Sequence, residues 1–578
     1  MATHIATNIA QSHFGEVPVV ASNQDNQNTS PTDMLACCWM GKNKLEMKRV
    51  PKPEITDDED VILRVTASTV CGSDLHLVHG EIMQLKTNEI LGHECTGIVE
   101  KVGSKVTAVK PGDRVVAAFG VACGKCQFCL QKEFTACDCT NNSAVMEKLY
   151  GHRTGGGMGY SHFVGGFSGM QAEYCRVLYG NTNLLKIPPG LSDEKALYLS
   201  DVIPTSYHAI WEAGVREGEV IGVWGLGPIG LSVVQWLRNV CKASRIIVVD
   251  NVPQRLQLAK ERWGAEVINF DENTDVAARV NELVPNGLDR SIDCAGFRYA
   301  KSLVHKIERA VGLETDTSET INEMVRSTKK FGTMALIADY AAYTNHLLIG
   351  GIMEKGLRLI GCGQAPIQRH WNECLRHIIE DRFDPTVILT HRFRLEDTVE
   401  VYKLFDQKHS GVMKVFLETR FSAPAAPGTP ALVSQQGFFT QAGLFAAYLA
   451  AKQEQSFGIL KQGGGGLIQI TLHALPAPNA VTTSHEVMVY RNLTHAPAYE
   501  YFQDTELNHT VMENCKGGYP QATIAIGAST MGCLPKSPWG WLICMIGRFM
   551  HRDLKPADIM VEGDTIKICD FGMVRIYF

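Results

Sequence analysis

The sequence predicts an α/β protein with a β-rich domain, a doubly wound parallel sheet and a weakly structured C-terminal extension. Short β-type runs separated by Gly and Pro begin at Leu35. From Glu219, apolar strands alternate with helical patterns, which is typical of a parallel sheet with helices on both faces. A Pro/Ala-rich stretch, residues 421–432, separates these parts from a weakly patterned remainder.

The composition is that of an ordinary soluble protein. The 578 residues predict two to four domains at about 100–200 residues each. The net charge of −6 gives no reason to expect nucleic acid or an anionic membrane as partner. No apolar run approaches the ~18–20 residues that cross a bilayer, and the N-terminus resembles neither a signal nor a transit peptide. We therefore expect a cytoplasmic protein whose 18 cysteines serve metal binding rather than disulfides.

The β-rich part is predicted from runs such as "DVILRVTAS" and "CTGIVEKVG". The parallel sheet is predicted from the strands "EVIGVW", "RIIVVD", "EVINF", "LDRSID" and "GTMALIA", with helices through "SVVQWLRNV" and "PQRLQLAKERWG". "LRLIG" is predicted as the last strand of that sheet. The expected domains are a disordered tail at 1–34, a β-rich domain at 35–205 completed by 365–420, a dinucleotide-binding sheet at 206–364, a linker at 421–432 and an extension at 433–578.

Four closely spaced cysteines predict a structural zinc site. Cys123, Cys126, Cys129 and Cys137 follow the spacing C-x2-C-x2-C-x7-C. Four thiolates on one short lobe close a tetrahedral shell and leave no position open for substrate. The alternative is that these are four buried free cysteines. Their close spacing in the sequence makes this interpretation less favoured. Cys139 is a spare thiol that could compete with Cys137.

A second, dispersed metal site is predicted from "CGSD" and "GHE". These words supply Cys71, His93 and Glu94. A catalytic zinc needs about three protein ligands and an open position. Either motif alone is weak evidence for a metal site, because a lone Cys or His is usually a core or surface residue.

The stretch "GLGPIG" predicts a turn that binds a dinucleotide. Gly225, Gly227 and Gly230 flank Pro228 and Ile229, after a strand and at the start of a helix. Glycines there let the backbone approach a pyrophosphate at the helix N-terminus. The alternative is a Gly-rich turn without a ligand.

The next strand ends in Asp250, whose carboxylate suits a ribose 2′-hydroxyl and would repel a 2′-phosphate. NAD is therefore favoured over NADP, although Arg255 nearby weakens this inference.

These residues together resemble the zinc-dependent medium-chain alcohol dehydrogenase family. The resemblance runs from about residue 35 to 420 and rests on "GHECTGIVEKVGSKV", "PGDRV", the four-cysteine lobe and the Gly-rich turn. "GGMGYSHFVGGFSGMQAEYCRV" and "LYLSDVIPTSYHAI" are similar to the glutathione-independent formaldehyde dehydrogenase branch. The resemblance implies a GroES-like catalytic domain and a Rossmann domain.

The resemblance also implies roles for individual residues. Asp201 is implied as the third ligand of the catalytic zinc beside Cys71 and His93, with Cys175 as a rival on a strand that leads away. Glu94 is implied to lie behind the ligands or to bind transiently. Ser73 and His76 match the positions of the family's proton relay, although His76 could also be a surface histidine.

The implied function is hydride transfer from a small alcohol or aldehyde hydrate, with formaldehyde the leading candidate, to NAD. One catalytic and one structural zinc ion are expected, in a homo-oligomer that is a dimer or a tetramer. The alternative is a catalytically inactive scaffold that is stabilised by zinc.

The C-terminal words "HRDLKP" and "DFG" resemble a protein kinase and define an alternative function, ATP-dependent phosphotransfer. They lie within residues 551–572. The rest of a kinase is missing, because Ile468 stands where a third loop glycine is needed, Arg491 replaces the strand lysine and Asp558 replaces the metal-binding asparagine. We therefore interpret this segment as an incomplete fragment.

Overall fold

The protein is described from a computed structural model. Residues 33–295, 305, 308, 315–407 and 411–433 are described in full, together with the backbone of nine short strands between residues 472 and 576. The chain separates into two compact units after Val433. Among the described residues, no helix has the length and apolar character needed to cross a bilayer.

The described residues of the first unit form eighteen strands. In chain order they are β1 (Asp33–Gly41), β2 (Lys44–Pro51), β3 (Val61–Ser68), β4 (Glu89–Ile90), β5 (Cys95–Val102), β6 (Arg114–Ala117), β7 (Gly120–Val121), β8 (Gly156–Gly157), β9 (Tyr174–Val177), β10 (Leu184–Lys186), β11 (Val220–Trp224), β12 (Arg245–Asp250), β13 (Glu266–Asn269), β14 (Leu288–Asp293), β15 (Thr328–Leu336), β16 (Arg358–Gly361), β17 (Leu389–Arg394) and β18 (Lys414–Glu418).

The described α-helices connect these strands. They are α1 (Gly72–Val78), α2 (Gln127–Leu130), α3 (Ala144–Tyr150), α4 (Gly180–Asn183), α5 (Asp193–Ala196), α6 (Val202–Ala213), α7 (Pro228–Asn239), α8 (Pro253–Trp263), α9 (Val276–Leu283), α10 (Glu319–Ser327), α11 (Ile349–Glu354), α12 (Ile367–Ile379) and α13 (Thr398–Asp406).

A seven-stranded sheet forms the centre of the β-rich domain. Its order is β10-β6-β5-β3-β18-β17, and β9 also pairs with β3. Because β18 pairs with β3, the last strand of the unit lies next to one of the first. A smaller sheet, β2-β1-β4, starts at Asp33. Asp33 and Met34 therefore belong to a strand and not to the predicted tail, and the side chain of Met34 is fully buried.

The second sheet has six strands in the order β13-β12-β11-β14-β15-β16, and every pair is parallel. Successive residues of β11 enter different apolar clusters, Val223 on one side and Trp224 on the other. A sheet covered on both faces explains why its strands read as nearly continuous apolar runs. The predicted α/β class, with a β-rich domain and a doubly wound sheet, is confirmed.

The Pro/Ala stretch is bound to the first unit by buried polar groups. The guanidinium of Arg392 is 1% exposed, pairs with Glu194 and donates to the Pro430 carbonyl at 3.3 Å. The Ala426 amide donates to the Glu194 carboxylate at 3.0 Å. The Val433 amide donates to the Arg392 carbonyl at 3.0 Å. The stretch that the sequence presents as a linker therefore covers an ion pair inside the first unit.

The second unit is described only by the backbone of its short strands. Five of them, β19 (Leu472–Leu475), β22 (Asn508–Met512), β23 (Thr523–Ala525), β26 (Thr565–Ile568) and β25 (Ile559–Glu562), form one sheet in that order. The others form the pairs β20 (His485–Arg491) with β21 (Ala498–Asp504) and β24 (Phe549–His551) with β27 (Val574–Ile576). The kinase-like residues Arg552, Asp553, Lys555, Asp558, Asp570, Phe571 and Gly572 lie outside the described residues.

We predict that the stable boundary of the first unit lies after Val433 and not after Arg420. A chain cut after Arg420 loses the partners that Pro430 and Ala426 supply to a buried ion pair, which should cost about 1–3 kcal/mol in the free energy of unfolding. Urea unfolding of chains ending at residues 420 and 433 measures the difference. Equal unfolding midpoints for the two chains would contradict the prediction.

Candidate active site

Four side chains that are far apart in sequence meet at one point of the first unit. Cys71 precedes α1, His93 and Glu94 precede β5, and Asp201 precedes α6. One potential ligand atom from each lies within 4.8 Å of the others. All four lie at the ends of elements, where the side chains project into a common space that the sheet and helices hold rigid.

The ring of His93 is fixed by carboxylates on both nitrogens. Nδ1 lies 2.9 Å from Asp74 Oδ1, and Nε2 lies 3.5 Å from Asp201 Oδ2. The other oxygen of Asp74 accepts from the Cys71 amide at 2.9 Å. Asp74 thus orients one predicted ligand and holds the backbone of another. Sequence reasoning missed this role, although Asp74 ends the word "CGSD".

Glu94 has a buried cationic partner that sequence reasoning also missed. The Nζ of Lys414 pairs with Glu94 Oε1, and both side chains are 1% exposed. Lys414 begins β18, which pairs with β3, while the Ser68 hydroxyl on β3 donates to the Glu94 carbonyl at 3.0 Å. Burial lowers the pKa of Lys414, but Cys71, Glu94 and Asp201 outweigh that effect and hold it above its ordinary value.

The charges of this cluster fit a divalent metal ion. Three carboxylates, Asp74, Glu94 and Asp201, surround a space that contains one lysine. Burial lowers the pKa of His93, yet Asp74 and Asp201 raise it well above its ordinary value. The proton on His93 thus compensates carboxylate charge that a metal cation would otherwise balance. With thiolate, imidazole and carboxylate donors, the set suits zinc.

Asp201 remains ionised in this environment. Burial raises its pKa, but the interactions with His93 and Lys414 lower it below the ordinary value. The Thr205 hydroxyl, one turn along α6, donates to Asp201 Oδ1 at 2.6 Å. One carboxylate oxygen is therefore occupied by α6, while the other points to His93.

The two predicted relay residues lie on α1, next to Cys71. The Sγ of Cys71 is 3.8 Å from the Ser73 hydroxyl. His76 is 26% exposed, and its Nδ1 lies 2.8 Å from Glu81 Oε2. Ser73 is therefore beside the predicted ligand Cys71, and His76, further along α1, is partly exposed to solvent.

The rival ligand Cys175 lies elsewhere. It is on β9, fully buried, with its Sγ 4.0 Å from that of Cys95. The potential metal groups found among the described residues do not include it.

The four-cysteine group is brought together as the spacing predicts. The potential ligand atoms of Cys123, Cys126, Cys129 and Cys137 lie within 4.8 Å of one another, while Cys139 is exposed. The Sγ atoms of Cys123 and Cys129 are 3.9 Å apart, as are those of Cys126 and Cys137. A tetrahedron with metal–sulfur distances of about 2.3 Å has edges of about 3.8 Å.

Backbone amides donate hydrogen bonds to these sulfurs and stabilise their thiolate form. The amides of Lys125 and Cys126 donate to Cys123 Sγ at 3.4 Å and 3.3 Å. Burial raises the pKa of Cys126, but amide donors from Cys129 and Asp138 outweigh it and lower the pKa to about 7. These donors favour thiolate, the form that binds zinc.

The Gly-rich turn has the backbone that a dinucleotide requires. Gly225 has φ +86°, and a Cβ there would lie 2.5 Å from the Ala295 Cα. A Cβ on Gly230 would lie 1.8 Å from the Gly225 carbonyl oxygen. At Gly227, the N-cap of α7, a Cβ would meet nothing within 4 Å, so open space faces the helix N-terminus. Pro228 and Ile229 follow in the first turn of α7, where the dipole favours a phosphate.

Asp250 ends β12 and holds the Gly-rich turn. Its Oδ2 accepts from the Leu226 amide at 2.6 Å, and its Oδ1 accepts from the Asn251 and Val252 amides, each at 2.8 Å. Arg255 lies half-buried in the first turn of α8. The predicted ribose ligand is therefore also a structural part of the turn.

Known proteins are similar to most of this chain. The family descriptions "Alcohol dehydrogenase GroES-like domain" and "Zinc-binding dehydrogenase" match residues 57–189 and 228–313, and neither match reaches the kinase-like segment. A zinc-type alcohol dehydrogenase-like protein of Schizosaccharomyces pombe is 39% identical over 418 residues, which are 72% of this chain and 98% of the relative.

Two further relatives cover about two thirds of this chain. A glutathione-independent formaldehyde dehydrogenase of Pseudomonas aeruginosa is 30% identical over 403 residues, 66% of this chain and 96% of that protein. The solved structure of an alcohol dehydrogenase from Thermus sp. ATN1 has a TM-score of 0.57 and 30% identity, and covers 67% of this chain and 100% of that one.

We predict that removing the Lys414 charge destabilises the metal-free protein. Lys414→Met leaves Glu94 buried without its cation, which should cost about 3–5 kcal/mol. Urea unfolding measures the loss, and Glu94→Gln in the same chain should recover most of it.

The matched control is Lys403→Met. Lys403 pairs with Glu400 on the surface of α13, with 60% and 46% of the side chains exposed. Its removal should cost less than about 0.5 kcal/mol. Equal losses for Lys414→Met and Lys403→Met would contradict the assigned role of the buried pair.

Proposed function

The chain belongs to the zinc-type medium-chain alcohol dehydrogenase family, and on this premise we propose that it transfers a hydride from a small alcohol or aldehyde hydrate to NAD. The observation that carries the proposal is the convergence of Cys71, His93, Glu94 and Asp201, whose potential ligand atoms lie within 4.8 Å of one another. A formaldehyde-like substrate is the leading candidate, supported by the similarity to a glutathione-independent formaldehyde dehydrogenase.

Cys71, His93 and Asp201 would hold the catalytic zinc, and the four-cysteine group would hold the structural one. When bound, the catalytic zinc supplies a Lewis acid that polarises the substrate oxygen and lowers its pKa. Asp74 keeps Nε2 of His93 directed at the site by holding Nδ1. Lys414 pairs with Glu94 and would hold it behind the three ligands when a metal is bound.

The substrate proton leaves the buried site through α1. The Ser73 hydroxyl accepts the proton from the substrate oxygen and passes its own outward. His76 receives it at the edge of the site, where the Glu81 carboxylate orients the imidazole. The Gly-rich turn and the N-terminus of α7 would bind the pyrophosphate of NAD, which accepts the hydride when bound.

The homo-oligomer implied by the family resemblance stays a proposal. A surface around the outer strand β16 suits it, since Phe331 is 82% exposed, Met353 72% and Ile349 65%. A free strand edge with apolar neighbours is a surface that proteins usually cover. The cytoplasmic location also stays a prediction.

We predict that the zinc-replete protein reduces NAD in the presence of formaldehyde or short primary alcohols, measured by the near-ultraviolet absorbance of NADH. Cys71→Ser and His93→Ala should each lower kcat/KM by about 1000-fold or more, because they remove a metal ligand. Metal analysis should show loss of one zinc while the four-cysteine site keeps its own.

His79→Ala is the matched control for His93→Ala. His79 lies at the end of α1, half-buried, and pairs with Asp406 at 3.1 Å. Its loss should leave turnover unchanged. Full activity of His93→Ala would refute the zinc role, and a wild-type protein inactive with every alcohol and aldehyde would refute the function.

We predict that Asp250 determines the preference for NAD. Asp250→Asn keeps an oxygen for the turn amides but removes the charge that repels a 2′-phosphate, so the ratio of kcat/KM for NADP over NAD should rise about 10-fold or more. In the double variant with Arg255→Ala the rise should be smaller, because the guanidinium in the first turn of α8 is a candidate partner for that phosphate. An unchanged ratio in Asp250→Asn would contradict the role.

A further inference from the structure

The segment from Gly156 to Met170 is packed against the turn that carries His93. Gly159 has φ +62°, and a Cβ there would lie 2.1 Å from the Gly92 carbonyl oxygen. The Met170 amide donates to that same oxygen at 2.8 Å, and the Met158 amide donates to the Phe119 carbonyl at 2.9 Å. The position of this segment relative to His93 is therefore fixed by backbone contacts.

Tyr160, the residue after Gly159, has its ring beside His93. The ring centroids are 5.6 Å apart, with an angle of 63° between the planes. Phe119 approaches His93 from another direction at 6.2 Å and 80°. Phe119 is 9% exposed, whereas Tyr160 is half-buried and is therefore the more accessible of the two rings beside His93.

The pKa of the Tyr160 phenol depends on groups of both domains. Burial raises this pKa and the Asp339 carboxylate adds to that effect, whereas His93 and the Ser73 side chain on α1 lower it. Asp339 belongs to the loop after β15. The same loop is tied to α3, because the Ala342 amide donates to the Tyr150 hydroxyl at 3.2 Å.

We propose that Tyr160 is a specificity-determining residue whose ring closes the space beside His93 and restricts the site to short substrates. A substrate whose oxygen reaches the Cys71, His93 and Asp201 group, and whose carbon faces the nicotinamide, must pass between α1 and the loop after β15. The Tyr160 ring occupies that passage and excludes a longer alkyl chain. This inference rests on the proposed function and adds a size limit to it.

The test compares primary alcohols from ethanol to hexanol as substrates of the holoenzyme. Tyr160→Ala should raise the ratio of kcat/KM for hexanol over ethanol by about 10-fold or more, because pocket size discriminates chain lengths by that amount. Tyr160→Phe keeps the ring, so its ratio should stay within about twofold of the wild type, even if the lost hydroxyl slows the reaction through Ser73.

Tyr174→Ala is the matched control. It makes the same change on β9, where the half-buried ring packs against Phe421 with ring centroids 5.2 Å apart and has no assigned role in the site. Its chain-length ratio should equal that of the wild type. An unchanged ratio in Tyr160→Ala, or an equal change in Tyr160→Phe or Tyr174→Ala, would overturn the proposal.

Two additional measurements keep the outcome clear. Zinc content and melting temperature verify that Tyr160→Ala is folded, and Tyr160→Leu, which should give an intermediate ratio, replaces it if it is not. Binding of the same alcohols to the cobalt-loaded protein, followed by visible absorption, does not require turnover. Tighter hexanol binding in Tyr160→Ala with no turnover in any variant would refute the function but support the size limit. Unchanged hexanol binding in Tyr160→Ala would overturn the size limit and leave the function to be judged by turnover.

Discussion

The buried acidic cluster around His93 is the constraint on which the rest of the site depends. Asp74, Glu94 and Asp201 lie close together with little exposure to water, an arrangement that costs several kcal/mol per charge unless cations compensate it. Lys414 provides one cation and the imidazolium of His93 can provide another. A zinc ion balances the same charges and frees His93 to act as a neutral ligand. The fold therefore holds together a set of groups whose mutual repulsion selects for a bound metal.

Close backbone contacts position this cluster and the cofactor turn. Gly159 against Gly92 brings the segment with Tyr160 to the turn of His93, and Gly230 against Gly225 brings α7 to the end of β11. Neither contact has room for a Cβ, so a side chain at these positions would move a functional element by a large fraction of an ångström or more. Such displacements matter in a site where reacting groups must be aligned closely.

The first unit is completed by residues from the end of its sequence. Lys414 on β18 reaches Glu94, and Pro430 and Ala426 bind the Arg392–Glu194 pair. Both are long-range contacts. In each, a segment near the end of the first unit neutralises or covers a buried charged side chain. The catalytic domain is therefore discontinuous in sequence, and its electrostatic balance depends on chain that lies beyond the dinucleotide-binding sheet.

The sequence by itself determined the features that depend on local spacing. The alternation of strands and helices predicts the parallel sheet, "CGKCQFC" predicts the four-cysteine group, and "GLGPIG" after a strand predicts the cofactor turn, because each is contained in one short segment. The resemblance to a known family added Asp201, which no spacing could join to Cys71 and His93.

Only the tertiary structure decided which distant residues support the site. Only the folded chain shows that Asp74 lies behind His93 and that Lys414 lies beside Glu94. It also shows that the Tyr160 ring lies beside the His93 ring. Their partners are separated by up to 320 residues, as in the Lys414–Glu94 contact. A lysine or a tyrosine in isolation carries no pattern that distinguishes a buried partner from a surface residue, since its role comes from what the fold packs against it.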